Sequence, residues 1–188
     1  VKAGESSVDV QTFTTTEMLQ LENTSFDDWC TDAKNPKLLY PWAEGATPYW
    51  ETGNKGATTV GNSNSTPTDD TSTGHGKAAH LESKYIVIKF AAGNIFTGSY
   101  LRTDGTNGIL GFGRPFKAFP SKLSFDYKYN SEIINKVGDE AMRYMEGCPD
   151  SCQIYITLWH IEANEYEEYN GEKFPLIIRT RPSERHLF

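Results

Sequence analysis

Large aromatic residues share one Pro- and Gly-rich stretch, residues 31–70, with acidic and amide side chains. Three of these aromatics stand close together: Trp42, Tyr49 and Trp50. The apolar C–H face of a sugar ring stacks on a flat aromatic ring, and the sugar hydroxyls need carboxylate or amide partners. Glu51 and Asn54 follow the aromatics directly and supply both kinds of partner. The pattern therefore favours a carbohydrate-binding surface on loops, against the ordinary alternative that the rings fill the ends of the core.

Carboxylates beside these aromatics and beside later candidate strands could also cleave a glycosidic bond. The candidate catalytic acids and bases are Glu44, Glu51, Asp70, Glu82 and Glu162. Asp27 and Asp28 also stand beside an aromatic residue, directly before Trp29. Cleavage needs two carboxyl groups across the sugar, roughly 5–10 Å apart, and a sequence does not set that distance. His80 would share a strand face with Glu82, which fits an acid–base pair or, more simply, an exposed polar face. No nucleophile elbow or P-loop is present, so the sequence gives no sign of the enzymes that depend on those motifs. The enzyme alternative to a binding module is therefore a glycoside hydrolase, which needs only a carboxylate pair.

The residues show no pattern of a metal centre or an organic cofactor. No His–Cys set has the spacing of a zinc site, and the histidines lack a metalloprotease-type partner. Structural Ca²⁺ would need oxygen ligands, for which Asp27 and Asp126 are candidates, although no EF-hand-like spacing accompanies them. The three cysteines, Cys30, Cys148 and Cys152, are compatible with a local disulfide between the last two or with free thiols. We expect no cofactor.

Charge and hydropathy restrict the partners. With 18 Lys and Arg against 25 Asp and Glu, the formal net charge is −7, and no basic stripe interleaves with the aromatics. Nucleic acid is therefore not an expected partner. No apolar run reaches the roughly 20 residues of a transmembrane helix. Because the chain begins at Val1 and stops at Phe188 within charged sequence, we expect a longer precursor.

Short strands account for most of the apolar periodicity. Candidate strands lie at residues 8–16, 78–83, 85–90, 94–101, 122–129, 153–159 and 174–179. The clearest is Lys122 to Tyr129, in which apolar and polar residues alternate with the period of a strand. Asn107-Gly108 is a hairpin turn signal, and Ser131 could cap one short helical insert near 131–146. The sequence predicts an all-β fold, an antiparallel β-sandwich, as a single domain over residues 1–188.

Several residues outside the aromatic stretch have both a structural and a binding interpretation. Phe26 and Trp29 are expected to anchor the first strand in the core. Arg114 precedes Pro115, which favours extended backbone, and could grip a carboxylate of the protein or of an acidic sugar. Asn107 could bind a sugar hydroxyl, although turn capping is the ordinary use of Asn.

The order of several short segments resembles one known family. The segments are Asn23 to Trp29, Pro48 to Asn54, Thr66 to Asp70, Gly76 to Ser83, Lys89 to Gly98, Gly105 to Gly108, Phe112 to Phe116, Pro120 to Tyr129 and Cys152 to Tyr155. Over about residues 22–165 they resemble the putative carbohydrate metabolism domain of Bacteroidetes lipoproteins. The resemblance implies a jelly roll similar to galactose-binding-like modules, on an exported lipoprotein at the bacterial surface or in the periplasm. It also implies a polysaccharide or oligosaccharide as ligand, and membrane contact only through a lipid anchor outside this chain. The end at Phe188 leaves out the final strands expected of that family. The insert at 131–151, with Cys148, departs from that family.

Three functions remain open, and they need different surfaces. A carbohydrate-binding module would present aromatic platforms with polar partners beside them. Its contacts would be Trp42, Tyr49, Trp50, Glu51, Asn54, Asn107 and Arg114. A glycoside hydrolase would place two carboxyl groups face to face across a cleft. A protein-interaction or adhesion module would show a flat apolar patch without an aromatic groove. The sequence favours the first of these.

Overall fold

Short antiparallel strands dominate the structure. The computed structural model describes residues 21–86, 89–105, 107–116, 118, 122–158 and 166–175. The strands there are β1 (Cys30–Thr31), β2 (Leu39–Tyr40), β3 (Trp50–Thr52), β4 (Ser65–Thr68), β5 (Ala78–Leu81), β6 (Lys84–Ile86), β7 (Lys89–Ala91), β8 (Ile95–Asp104), β9 (Asn107–Phe112), β10 (Tyr166–Tyr169) and β11 (Glu172–Pro175). The helices are the single turn α1 (Asn54–Ala57) and a 3₁₀ helix (Glu140–Met145). Within these ranges no helix combines the length and the apolar character needed to cross a bilayer.

The largest sheet of the described part has three strands in the order β3-β8-β9. Its middle strand, β8, is 10 residues long and rich in aromatic and β-branched side chains, which suit a pleated, half-buried surface. It pairs Thr97 with Trp50 of β3 and Tyr100 with Leu110 of β9, both antiparallel. The other strands form four antiparallel pairs: β1-β2, β4-β5, β6-β7 and β10-β11. The predicted all-β antiparallel fold is confirmed, and the sandwich and jelly-roll topology stay predictions.

The hairpin between β8 and β9 turns earlier than the sequence predicted. Asn107 and Gly108, predicted as the turn, already lie in β9, and Asn107 pairs with Asp104 of β8. Gly105 takes the turn conformation, with φ +61°, which glycine adopts at little steric cost. The Asn-Gly signal therefore located the hairpin but placed its turn two residues late.

Two other predicted strands differ from the structure. The segment predicted as one strand at 85–90 contributes to two strands, because β6 and β7 pair with each other antiparallel. Residues 122–129 and the described part of 153–159 form no strand within the described ranges, and their apolar side chains stay exposed. Alternation specifies which face of a segment is apolar, but a strand also needs a neighbour to accept its backbone hydrogen bonds. The candidate strand at 8–16 and most of that at 174–179 lie outside the described residues.

The helical insert is present but shorter than predicted. It is the 3₁₀ helix at Glu140–Met145, and Asp139 caps it by accepting a hydrogen bond from Ala141 N–H at 3.0 Å. Ser131, predicted as the cap, instead donates to the carbonyl of Asp150 at 2.9 Å. An acidic N-cap satisfies a free N–H group at the start of a helix, and here the helix starts where that acid stands.

Asn54 joins three elements at the base of the aromatic stretch. Its Nδ2 donates to the carbonyls of Leu39 and Ser65, each at 2.8 Å, which ties α1 to β2 and β4. Its Oδ1 accepts from the N–H groups of Asn64 at 3.1 Å and Ser65 at 3.0 Å. An amide side chain has two donor and two acceptor positions, so all four are used. The core around it is notably polar, because several of its buried side chains are hydroxyl or amide groups: Thr52, Ser63, Asn64, Ser65 and Ser99.

Candidate functional site

The three aromatics of the Pro- and Gly-rich stretch converge on one shallow pocket. The aromatic pocket, as we name it, has a volume of about 70 Å³ and includes among its lining residues Glu22, Asn23, Asp28, Trp42, Tyr49 and Trp50. The three rings are half-buried, so part of each side chain remains accessible to solvent. The structure thus brings together the aromatic residues that the sequence predicted as sugar contacts.

Stacking and one indole hydrogen bond hold these rings in place. Trp42 follows β2 and stacks on Tyr40, with ring centroids 4.5 Å apart and planes 19° apart. Trp50 begins β3 and donates its indole N–H to the carbonyl of Glu22 at 2.7 Å. Tyr49 meets Trp50 edge to face at 5.7 Å, and Phe26 meets it similarly at 5.0 Å. The rings therefore form a preorganised surface, which lowers the entropy cost of binding a ligand.

The segment from Glu22 to Asp28 forms one wall of the aromatic pocket. Asn23 adopts left-handed backbone with φ +44°, a conformation that Asn tolerates better than most residues. Its Nδ2 donates to the carbonyls of Asp28 and Pro41, each at 3.0 Å, and its Oδ1 accepts from Asp28 N–H at 3.1 Å. These bonds fasten the wall to the segment that carries Trp42. Phe26 is half-buried and also packs against Trp50. Its predicted role as an anchor of the first strand in the core stays a prediction.

Four polar groups of the pocket have no hydrogen-bond or ion-pair partner among the residues that the structure describes. Within the part of the chain that the structure describes, neither the indole N–H of Trp42 nor the hydroxyl of Tyr49 makes a hydrogen bond. The carboxylates of Glu22 and Asp28 are exposed and form no ion pair there. An aromatic face flanked by an indole donor, a phenol and two carboxylate acceptors matches the two-sided chemistry of a sugar.

A family comparison places this pocket in context. The sequence model of the putative carbohydrate metabolism domain matches residues 22–181. The chain belongs to this family. The match begins at Glu22 and so spans every residue that lines the aromatic pocket. No curated protein and no solved structure matches the chain. The name of this family indicates a role in carbohydrate metabolism. The lipoprotein context implied by the resemblance stays a prediction.

Glu51 of the carbohydrate metabolism domain does not reach the aromatic pocket. Successive side chains of a strand point to opposite faces, so Glu51 faces away from Trp50. Its buried carboxylate accepts from Tyr100 N–H at 3.2 Å and pairs with Lys55 Nζ at 3.2 Å. Three tyrosine rings lie 5.6 to 5.9 Å from that ammonium: Tyr40, Tyr100 and Tyr169. Glu51 thus belongs to a buried ion pair in the interior of the domain.

Asn54 and Arg114 are also engaged by the protein itself. The amide of Asn54 is 1% exposed and fully hydrogen-bonded, so a sugar hydroxyl would have to displace a backbone partner. The guanidinium of Arg114 donates to the carbonyls of Tyr49 and Gly98 and forms an ion pair with Glu172. Neither residue lines the aromatic pocket, and Arg114 grips a carboxylate of the protein.

The remaining predicted residues are dispersed over the surface. Glu44 is exposed in the turn after Trp42, and Asn107 is exposed at the start of β9. Asp70 pairs with Lys128 at 2.7 Å, and Glu82 pairs with Lys84 at 2.8 Å. Glu162 lies outside the described residues. Two carboxylates line the aromatic pocket, Glu22 and Asp28. Asp28 was predicted only as one of several carboxylates beside an aromatic residue, and Glu22 was not a candidate.

The two Ca²⁺ candidates occupy different hydrogen-bond settings. Asp27 Oδ1 accepts from Lys77 N–H at 2.5 Å, and hydrogen bonds from Ser25 and Lys77 lower the pKa of this carboxyl. Asp126 accepts from the Ser72 hydroxyl at 2.7 Å. Among the described residues no three His, Cys, Asp or Glu side chains are grouped as metal ligands, so Ca²⁺ stays a prediction. All three cysteines are free thiols in the structure.

Tyr40, which supports Trp42, is expected to ionise late in an alkaline titration. Burial raises the pKa of Tyr40 above its usual value of 10, and a hydrogen bond to Asp32 Oδ2 at 3.1 Å adds to the effect. The folded state therefore holds this proton more tightly than the unfolded chain does. The resulting stability is complete below about pH 10 and is lost as the pH rises further.

Phenolate absorbance against pH measures this effect. The native domain should show a late-ionising component that shrinks in Tyr40→Phe and disappears in denaturant. A native titration identical to that of Tyr40→Phe, once scaled for one fewer tyrosine, would contradict the expectation.

Proposed function

We propose that this domain binds neutral carbohydrate at the aromatic pocket, as a non-catalytic module. The observation that carries the proposal is the convergence of Trp42, Tyr49 and Trp50, with unpaired polar groups between them, on one pocket. The family's link to carbohydrate metabolism agrees with it. Rings packed inward as filler would leave neither accessible faces nor a free indole N–H.

The dimensions of the pocket limit how a sugar could bind. Ligand pockets usually measure about 300–1,000 Å³, whereas the aromatic pocket measures about 70 Å³. It could admit a hydroxyl or hydroxymethyl group, while the sugar ring itself lies across the aromatic rim. Such open stacking suits the exposed face of a polysaccharide chain better than an enclosed monosaccharide.

Electrostatics favours a neutral ligand. The exposed carboxylates at the pocket are Glu22 and Asp28, and the chain carries a net charge of −7. Uronic acid or sulfate groups would meet like charge there without an unpaired cation among the lining residues. Neutral glycans avoid this repulsion and can donate their hydroxyls to both carboxylates.

Trp42→Ala is the test of the aromatic pocket. We expect affinity for a neutral polysaccharide to fall about tenfold or more, because a stacked ring contributes roughly 1–2 kcal/mol through buried apolar area and ring geometry. Trp42 is preferable to Trp50, whose indole also holds Glu22 and whose loss would disturb the wall.

Affinity electrophoresis in gels that contain neutral polysaccharides, after a glycan array, provides the measurement. Tyr144→Ala is the control, since this ring is 75% exposed in the 3₁₀ helix and lines neither the pocket nor its wall. Equal retardation of wild type and Trp42→Ala, or no binding by the folded wild type, would refute the proposal.

A glycoside hydrolase is the second candidate, and one observation favours it. Glu22 and Asp28 both line the aromatic pocket and could act on a sugar from two sides. Release of reducing sugar by the wild type, abolished in Glu22→Gln and in Asp28→Asn, would establish cleavage. Binding without release by any of these proteins would leave the non-catalytic function.

A further inference from the structure

A second, larger pocket lies on the other side of the segment that carries Asp28. The Trp29 pocket, as we name it, has a volume of about 300 Å³, and its lining includes Asp27, Trp29, Thr31, Leu39, Pro67 and Lys77. Asp28 lines the aromatic pocket, whereas its two neighbours Asp27 and Trp29 line this one. One stretch of chain, residues 27–31, thus contributes side chains to both pockets.

The Trp29 pocket has an apolar wall that is held rigidly. Its apolar members are Trp29, Leu39 and Pro67. The indole N–H of Trp29 donates to the carbonyl of Phe26 at 2.8 Å, which fixes the orientation of the ring. Trp29 is half-buried, so part of its side chain is accessible at the pocket. A fixed, half-accessible indole is a suitable platform for the C–H face of a sugar ring.

The rim of the Trp29 pocket is polar but carries no free cation. Lys77 Nζ pairs with Asp69 Oδ1 at 2.5 Å, and Lys77 N–H donates to Asp27 Oδ1 at 2.5 Å. These contacts neutralise the ammonium and fix the Asp27 carboxylate beside the opening. The hydroxyl of Thr31 makes no hydrogen bond within the described part of the chain. A ligand therefore meets a carboxylate acceptor and a free hydroxyl, which suits a neutral polyol.

We infer that the Trp29 pocket is a second saccharide site, which accommodates one neutral sugar unit at a chain end or as a free monosaccharide. This inference rests on the proposed function and extends it. At about 300 Å³ this pocket reaches the usual size of a ligand site, which the aromatic pocket does not. The domain then holds a chain end on one side of the 27–29 segment and the face of a chain on the other.

The same substitution in each pocket separates the two sites. Thr31 lines the Trp29 pocket and Thr47 lines the aromatic pocket, and both are exposed threonines. A tyrosine at either position adds bulk to its own pocket and removes no buried group. We expect Thr31→Tyr to weaken binding of the methyl glycosides of glucose, galactose or mannose about tenfold, with polysaccharide binding kept within about twofold. Thr47→Tyr should show the reverse.

Saturation-transfer NMR measures the glycosides, and affinity electrophoresis measures the polysaccharide. Equal glycoside signals from wild type and Thr31→Tyr would overturn the inference, as would a wild type that binds polysaccharide but none of the three glycosides. Glycoside binding that Thr31→Tyr abolishes, with no polysaccharide binding at all, would support this site and refute the aromatic one. If Thr31→Tyr does not fold, Trp29→Phe provides the second variant, and an unchanged glycoside signal there also counts against the site.

Discussion

Asn54→Ala is expected to lower the free energy of unfolding by about 4 kcal/mol or more. The substitution removes four hydrogen bonds to backbone groups, and each buried group left without a partner costs about 1–3 kcal/mol. Asn64 and Ser65, which supply three of those groups, are at most 1% exposed, so water replaces the lost amide poorly. The loss also detaches β2 and β4 from α1, all three of which lie within the Pro- and Gly-rich stretch at residues 31–70.

Asn62→Ala is the matched control for this prediction. Asn62 is exposed and makes no hydrogen bond within the described ranges, so the same chemical change should alter stability by less than about 0.5 kcal/mol. Urea unfolding followed by tryptophan fluorescence gives both values. A loss below about 1 kcal/mol in Asn54→Ala would show that another group or water takes over the role of the amide.

The aromatic part of the candidate site could be predicted from the sequence, but its polar part could not. Trp42, Tyr49 and Trp50 are large, close together and set among prolines and glycines, and those features are visible without coordinates. Glu51 was grouped with them because it is adjacent in sequence. In the three-residue strand β3, however, the side chains of Trp50 and Glu51 point to opposite faces, because consecutive strand residues alternate in direction.

Glu22 escaped prediction for a related reason, and Asp28 was predicted only as a carboxylate beside Trp29, not as a neighbour of Trp42 and Trp50. Each becomes part of the aromatic pocket only through the hydrogen bonds of Asn23 and the left-handed backbone there. A turn of this kind depends on a partner distant in the chain, the carbonyl of Pro41, which local patterns do not identify. A useful signal was the asparagine itself, which lies between the acids Glu22 and Asp27 and three residues before Phe26.

The strands show the same difference between features that one segment determines and features that depend on a distant partner. The region of β8 is recognisable because its β-branched and aromatic run is followed by a turn signal. Residues 122–129 alternate more regularly than β8 does, yet they form no strand within the described residues. Local alternation is a property of one segment, whereas a strand requires two.

The C-terminal hairpin provides the second large expected effect, through Arg114. The Arg114 guanidinium is 7% exposed and donates from Nε to the carbonyl of Tyr49 at 3.3 Å. Its Nη2 donates to the carbonyl of Gly98 at 2.7 Å, and its Nη1 pairs with Glu172 of β11. One planar group thus connects the segment before β3, the middle strand β8 and the hairpin β10-β11. Lysine carries the same charge on a single nitrogen and cannot reproduce this geometry.

We therefore expect Arg114→Lys to lower the free energy of unfolding by about 2–4 kcal/mol. The buried cation at position 114 and the carbonyls of Tyr49 and Gly98 would lose hydrogen-bond partners together. Arg102→Lys is the control. Arg102 is 52% exposed and pairs with Glu167 of the same hairpin through two contacts of 2.6 Å, and an exposed pair contributes at most about 1 kcal/mol. Chemical denaturation compares the two variants, and amide hydrogen exchange of β10 and β11 reports whether the hairpin opens first. Equal free energies of unfolding for Arg114→Lys and Arg102→Lys would mean that the hairpin depends on its ion pairs in general and not on the planar guanidinium of Arg114.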